Sequence, residues 1–69
     1  MAELVSFLKA IRTGAGLTQQ ELATLVQVSR KTVNTVENGV FIPSTILSLK
    51  LARALNVSVE QLFQLPNEI

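Results

Sequence analysis

Gln19–Glu37 reads QQELATLVQVSRKTVNTVE, and the demands met inside this window decide the fold. Two helices crossing steeply around a turn of about three residues need a small residue where their backbones approach. They also need apolar inner faces and an apolar residue tucked beneath the turn. Ala23 is the small residue, Leu22, Val26, Val33 and Val36 supply the inner faces, and Val28 lies at the turn. An ordinary amphipathic pair would satisfy the spacing but would not require Ala23 and Val28. Thr18-Gln-Gln-Glu21 is a capping-box sequence in which the Thr18 hydroxyl accepts from the Glu21 amide while the Glu21 carboxylate reaches back. Ser29 is the N-cap candidate of the second helix, and Gly39 is placed to end it in the left-handed conformation. The window predicts a helix-turn-helix.

Helix signals continue on both sides. Leu4, Leu8 and Ile11 are spaced i, i+4, i+7, predicting a first helix capped near Ser6 and ending by Gly14–Gly16. Leu22, Leu25 and Val26 form the expected apolar stripe of the second helix. Ser44 can cap a fourth helix carrying Leu47, Leu51 and Leu55, with Asn56 at its left-handed end. Ser58-Val-Glu-Gln61 is a second capping box, opening a short fifth helix with Leu62 and Phe63 inward, and Pro66 stops it. No linker, repeat or low-complexity segment appears. Residues 1–69 therefore read as one all-α domain of five short helices. Several are too short to persist alone in water and must share a core, which is where a 48% hydrophobic composition goes.

Composition excludes several functions. The chain has no Cys, His, Trp or Tyr, and its carboxylate side chains are Glu3, Glu21, Glu37, Glu60 and Glu68. Disulfides and zinc–thiolate sites are excluded, and the scattered Glu residues supply no base, nucleophile or ligand cluster. Catalysis, a metal, a cofactor and a small-molecule ligand are not expected. No apolar run approaches the roughly 20 residues of a membrane span, and MAELVSFLKAIR lacks a signal-peptide layout. A soluble cytoplasmic protein is the expectation. So much apolar surface on a short chain hints at self-association, while a net charge of +1 is weak evidence for a polyanionic partner.

The pieces IRTGAGLTQQELA, VSRKTVNTVENG, PST and LKLARALNVSVEQLF, in this order and spacing, resemble the lambda-repressor-like, Cro/cI-type (XRE family) DNA-binding domain from Leu8 to Leu65. The resemblance implies double-stranded DNA as partner. Short stand-alone members of the family form homodimers, and one has a two-stranded ribbon. That analogy implies pairing of Glu3–Val5 with Phe63–Leu65. The expected dimer interface is helix five and the C-terminal residues around Leu62, Leu65 and Ile69.

In a helix-turn-helix the second helix enters the major groove with its N-terminal residues at the base edges. Arg30, Lys31, Asn34 and Thr35 fall on the outward face, opposite Val33 and Val36. Arg30 or Lys31 could read guanine O6/N7 and Asn34 adenine N6/N7; the simpler role for the two cations is to solvate an exposed face. By resemblance Thr18 and Gln19 sit against the phosphate backbone at the positive end of their helix, with Thr32 and Asn38 as similar candidates. The resemblance also implies an ion pair between Arg12 and Glu37, tying the first helix to the end of the third; the alternative for Arg12 is a phosphate contact.

Three departures stand out from the family pattern. Gln27 occupies a turn position where Gly is usual, so a positive φ is expected on a residue with a side chain. Val40 and Ile42 replace polar or basic residues after the ENG segment, and Ile46 is apolar where Glu is common. The expected function is a sequence-specific transcriptional regulator, a repressor acting as a homodimer on a pseudo-palindromic operator. The other readings are an antitoxin that autoregulates its operon with a toxin partner, and a protein-interaction module using Ile42 and Ile46.

Overall fold

Hydroxyl side chains set where most of the helices begin. In the computed structural model, which describes residues 4–66, the order is β1 (Val5–Ser6), α1 (Leu8–Gly14), α2 (Gln19–Val26), α3 (Arg30–Glu37), α4 (Thr45–Leu55), α5 (Val59–Leu62) and β2 (Phe63–Gln64). Thr18 Oγ1 accepts from the Glu21 amide at 3.0 Å, and the Thr18 amide donates back to Glu21 Oε1 at 2.8 Å. Ser29, Ser44 and Ser58 cap α3, α4 and α5 in the same way, and Ser58 completes a second capping box with Gln61. Helix α1 is the exception. Its N-cap is Phe7, with no side-chain cap, because Ser6 belongs to β1. Ser6 Oγ still accepts from the Leu8 amide at 3.3 Å.

The first four helices share one way of stopping. Leu17, Val28, Val40 and Val57 each donate their amide five residues back, to Arg12, Ala23, Thr35 and Ala52, at 3.0–3.2 Å. This is the Schellman arrangement, and it requires a left-handed residue just before the donor. Gly16, Gln27, Gly39 and Asn56 fill that position, with φ of 77°, 64°, 74° and 58°. The positive φ expected at Gln27 is therefore present.

The core is assembled from Leu8, Leu22, Ala23, Val26, Val33, Val36, Leu47, Leu51, Ala52, Leu55, Leu62 and Phe63, with Leu4, Ile11 and Val28 packed against it. Ala23 has no exposed surface, as the helix crossing demands. Leu25 departs from the expected stripe and is 59% exposed. Once Ala23 turns inward against α3, the buried face of α2 centres on Leu22, Ala23 and Val26, and Leu25 is rotated out of it.

The ribbon is shorter and set differently from the expectation: Val5 lies opposite Gln64 and Ser6 opposite Phe63. Glu3 is outside the described residues. The pairing is anchored at the helix ends, since the Phe7 amide donates to the Leu62 carbonyl at 2.8 Å. Among the described residues no helix is long and apolar enough to cross a membrane.

Candidate nucleic-acid interface

Helix α3 is amphipathic in a way that fixes what it can present. Val33 and Val36 are each 2% exposed, and complete burial of such side chains contributes about 1.5–3 kcal/mol apiece. That anchoring turns Arg30 and Lys31 outward into solvent in the first turn. Neither is in a salt bridge among the described residues, where the one ion pair is Arg12–Glu37. Asn34 and Thr35 follow on the same side and are half-buried.

The far end of α3 is fixed by a buried polar cluster. Glu37 accepts from Arg12 Nε at 2.5 Å, from Arg12 Nη2 at 3.2 Å and from Gln19 Nε2 at 3.0 Å. Arg12 Nη1 also donates to the Leu17 carbonyl at 2.8 Å. The side chains of the pair are only 9% and 2% exposed. The hydrogen bond to Glu37 raises the Arg12 pKa above its ordinary value, although burial opposes the shift. The arrangement ties α1, the loop before α2, the start of α2 and the end of α3 into one unit. The Arg12 guanidinium is thus turned into the protein.

Several candidate contacts have partners within the protein. Gln19 is half-buried and its amide is committed to Glu37, leaving one N–H and its carbonyl oxygen for anything outside. Thr18 is exposed, and as a cap its oxygen only accepts, so its hydroxyl hydrogen remains to be donated. Thr32 Oγ1 lies 3.0 Å from Ser29 Oγ and belongs to the cap of α3. Thr35 Oγ1 donates back to the Thr32 carbonyl at 3.0 Å, so its hydroxyl hydrogen is used inside the helix. Asn38 Nδ2 donates to Asn34 Oδ1 at 3.2 Å, which orients the Asn34 amide on the outer face.

The expected dimer residues separate. Leu62 has no exposed surface, because α5 turns it into the core, so it is not available to a partner. Leu65 is 63% exposed, and Val5 and Phe7 nearby in the ribbon region are 39% and 40% exposed; Ile69 lies outside the described residues. Lys50 was not singled out by sequence reasoning, yet its Nζ lies 3.4 Å from Gln27 Oε1 and links α4 to the turn. Its spacing of i+4 from Ile46 on the outer face of α4 was the available signal. Among the described residues no group of His, Cys, Asp or Glu could hold a metal ion.

A family model described as helix-turn-helix matches residues 8–62. YgzD of Bacillus subtilis, an uncharacterized HTH-type transcriptional regulator, is 37% identical over 60 residues, 87% of this chain and 91% of that protein. An uncharacterized HTH-type transcriptional regulator of Methanothermobacter thermautotrophicus is 43% identical over 58 residues, 83% of this chain and 84% of its own length. Among solved structures, the restriction-modification controller protein C.AhdI from Aeromonas hydrophila matches with a TM-score of 0.74 at 39% identity, covering 78% of this chain and 82% of the other. The clp gene regulator ClgR from Corynebacterium glutamicum also gives 0.74, at 31% identity and 78% of this chain. This chain spans only 57% of ClgR.

Proposed function

Because this chain belongs to the helix-turn-helix, XRE-type family of transcriptional regulators, we propose that it is a sequence-specific repressor that binds a pseudo-palindromic operator as a homodimer. The observation that carries this reading is the exposed Arg30–Lys31 pair at the start of a helix whose other face is locked in the core. An Arg or Lys there can donate to guanine O6 and N7, and the oriented Asn34 amide can pair with adenine N6 and N7. Thr18, the free donor capacity of Gln19, Thr32 and Asn38 are the proposed phosphate contacts, which fix register without reading sequence.

Two copies bring the two cations twice to one face, which offsets a net charge of only +1. Two recognition helices related by a two-fold axis read half-sites about 34 Å apart. The exposed apolar side chains Val5 and Phe7 on one face of the ribbon, and Leu65 just past the end of β2, are the residues we assign to the dimer. The test is a gel shift on random and operator-selected duplexes over a salt series. Binding that falls steeply with salt and favours the selected site is expected; no binding even at low salt would remove the DNA-level reading.

A further inference from the structure

We propose that the outer face of α4 docks an acidic, amphipathic helical segment of another protein. Ile46, Leu49, Lys50 and Arg53 recur at i, i+3, i+4, i+7 and so share one stripe of the helix. The opposite face, with Leu47, Leu51 and Leu55, is buried in the core. The outer stripe is bare, with Ile46 68% and Leu49 57% exposed. Single exposed aliphatic residues are ordinary, but adjoining ones mark interaction sites. Ile46 also lines, with Val28, Phe41 and Lys50, a groove of about 290 Å³ between α4, the α2–α3 turn and the α3–α4 loop. An apolar side chain from a partner has a place to insert there.

Charge decides the occupant. Helix α4 carries Lys50 and Arg53 and no carboxylate. Neither cation is in an ion pair among the described residues, and the Lys50 contact is to a neutral amide oxygen. A second copy laid on this face would gather like charges around the apolar centre with no α4 carboxylate to answer them. Duplex DNA would match the cations but would leave Ile46 and Leu49 against a charged backbone. A helix with apolar residues at matching spacing and Glu or Asp along its flank satisfies both features at once. Its anchors enter the groove, and its carboxylates accept charge-assisted hydrogen bonds from Lys50 and Arg53.

This inference goes beyond the DNA-binding reading, and its test contains no DNA, so the two succeed or fail separately. The probe is a fluorescein-labelled helical peptide with leucines at i, i+3, i+4 and i+7 and flanking glutamates, titrated with the full chain by anisotropy. The control is the same peptide with lysines in place of the glutamates. The acidic peptide should bind saturably and about tenfold tighter than the basic one. Binding should weaken about tenfold in an Ile46→Ser/Leu49→Ser variant and several-fold in Lys50→Glu/Arg53→Glu. All four positions are exposed, so both variants should fold. Equal binding of the two peptides, or undiminished binding by both variants, overturns the proposal. So does failure of the acidic peptide to bind while Ile46→Ser/Leu49→Ser abolishes self-association in sedimentation, which would give the face to a second copy.

Discussion

Gln27 holds a left-handed backbone, φ 64° and ψ 42°, that costs a residue with a side chain about 1 kcal/mol or more. The fold needs that conformation to aim α3, so the strain is tolerated. Gln27→Gly should relieve it, partly offset by the greater freedom of glycine in the unfolded chain and by loss of the exposed Lys50 contact. The melting temperature should rise by about 2–5 °C. Asn56→Gly, at φ 58°, should gain less, because Asn tolerates this region. An unchanged or lower value for Gln27→Gly would show that the turn is not strained. Glu37→Ala is the opposite kind of change. It strands the Arg12 guanidinium and the Gln19 amide in a site where the Glu37 side chain is 2% exposed, and should cost about 3 kcal/mol in denaturant unfolding. An Arg12→Met/Glu37→Leu pair should cost less than the two single changes combined, since it leaves no unpaired buried charge. The identity of Arg12 and Glu37 as a pair came from family resemblance; the third member, Gln19, was read by the same resemblance only as a phosphate contact, because nothing in helical spacing relates positions 19 and 37.

At the scale of elements, hydroxyl caps and left-handed stops did most of the specifying, and they are local enough to read in sequence. Thr18, Ser29, Ser44 and Ser58 all cap as their spacing predicts. Ser6 does not, because a tertiary partner, Phe63, recruits its backbone into a ladder before the helix begins. The ribbon has two residues in each strand, too few to show an alternating pattern. Leu25 misled for a related reason: a three-residue apolar stripe does not say which edge of it faces the core. Leu62 was legible as inward from its capping box, and that burial removes it from any interface. Ser29→Ala should cost about 1 kcal/mol and fray the first turn of α3, where Arg30 and Lys31 reside. Hydrogen exchange of the Thr32 amide, now donated to Ser29 Oγ at 3.1 Å, should quicken in that variant while α5 amides stay unchanged; slow exchange at Thr32 would mean the cap is dispensable.

For the molecule as a whole, the missing titratable residues make a clear statement about pH. The Arg12 pKa is raised on folding, chiefly by its hydrogen bond to Glu37. A pKa raised on folding stabilises at every pH below the unfolded value and is lost only as pH climbs through the folded one, here in the strongly alkaline range. With no His, Cys or Tyr, no side chain ordinarily titrates between about pH 6 and 9. Side-chain ionisation should therefore leave thermal melts flat across that window, and a slope that survives acetylation of the α-amino group, which ordinarily titrates there, would reveal a shifted side chain. A nearly neutral scaffold presents two cations, Arg30 and Lys31, where α3 begins. The most direct test is the affinity of wild type and Arg30→Ala for a selected operator and for its single-base variants at fixed salt. Arg30→Ala should lose about 1–3 kcal/mol at the selected site and lose its preference at one base pair. Uniform weakening on every sequence would place Arg30 on a phosphate and contradict the reading of α3 as the base-reading helix through this residue.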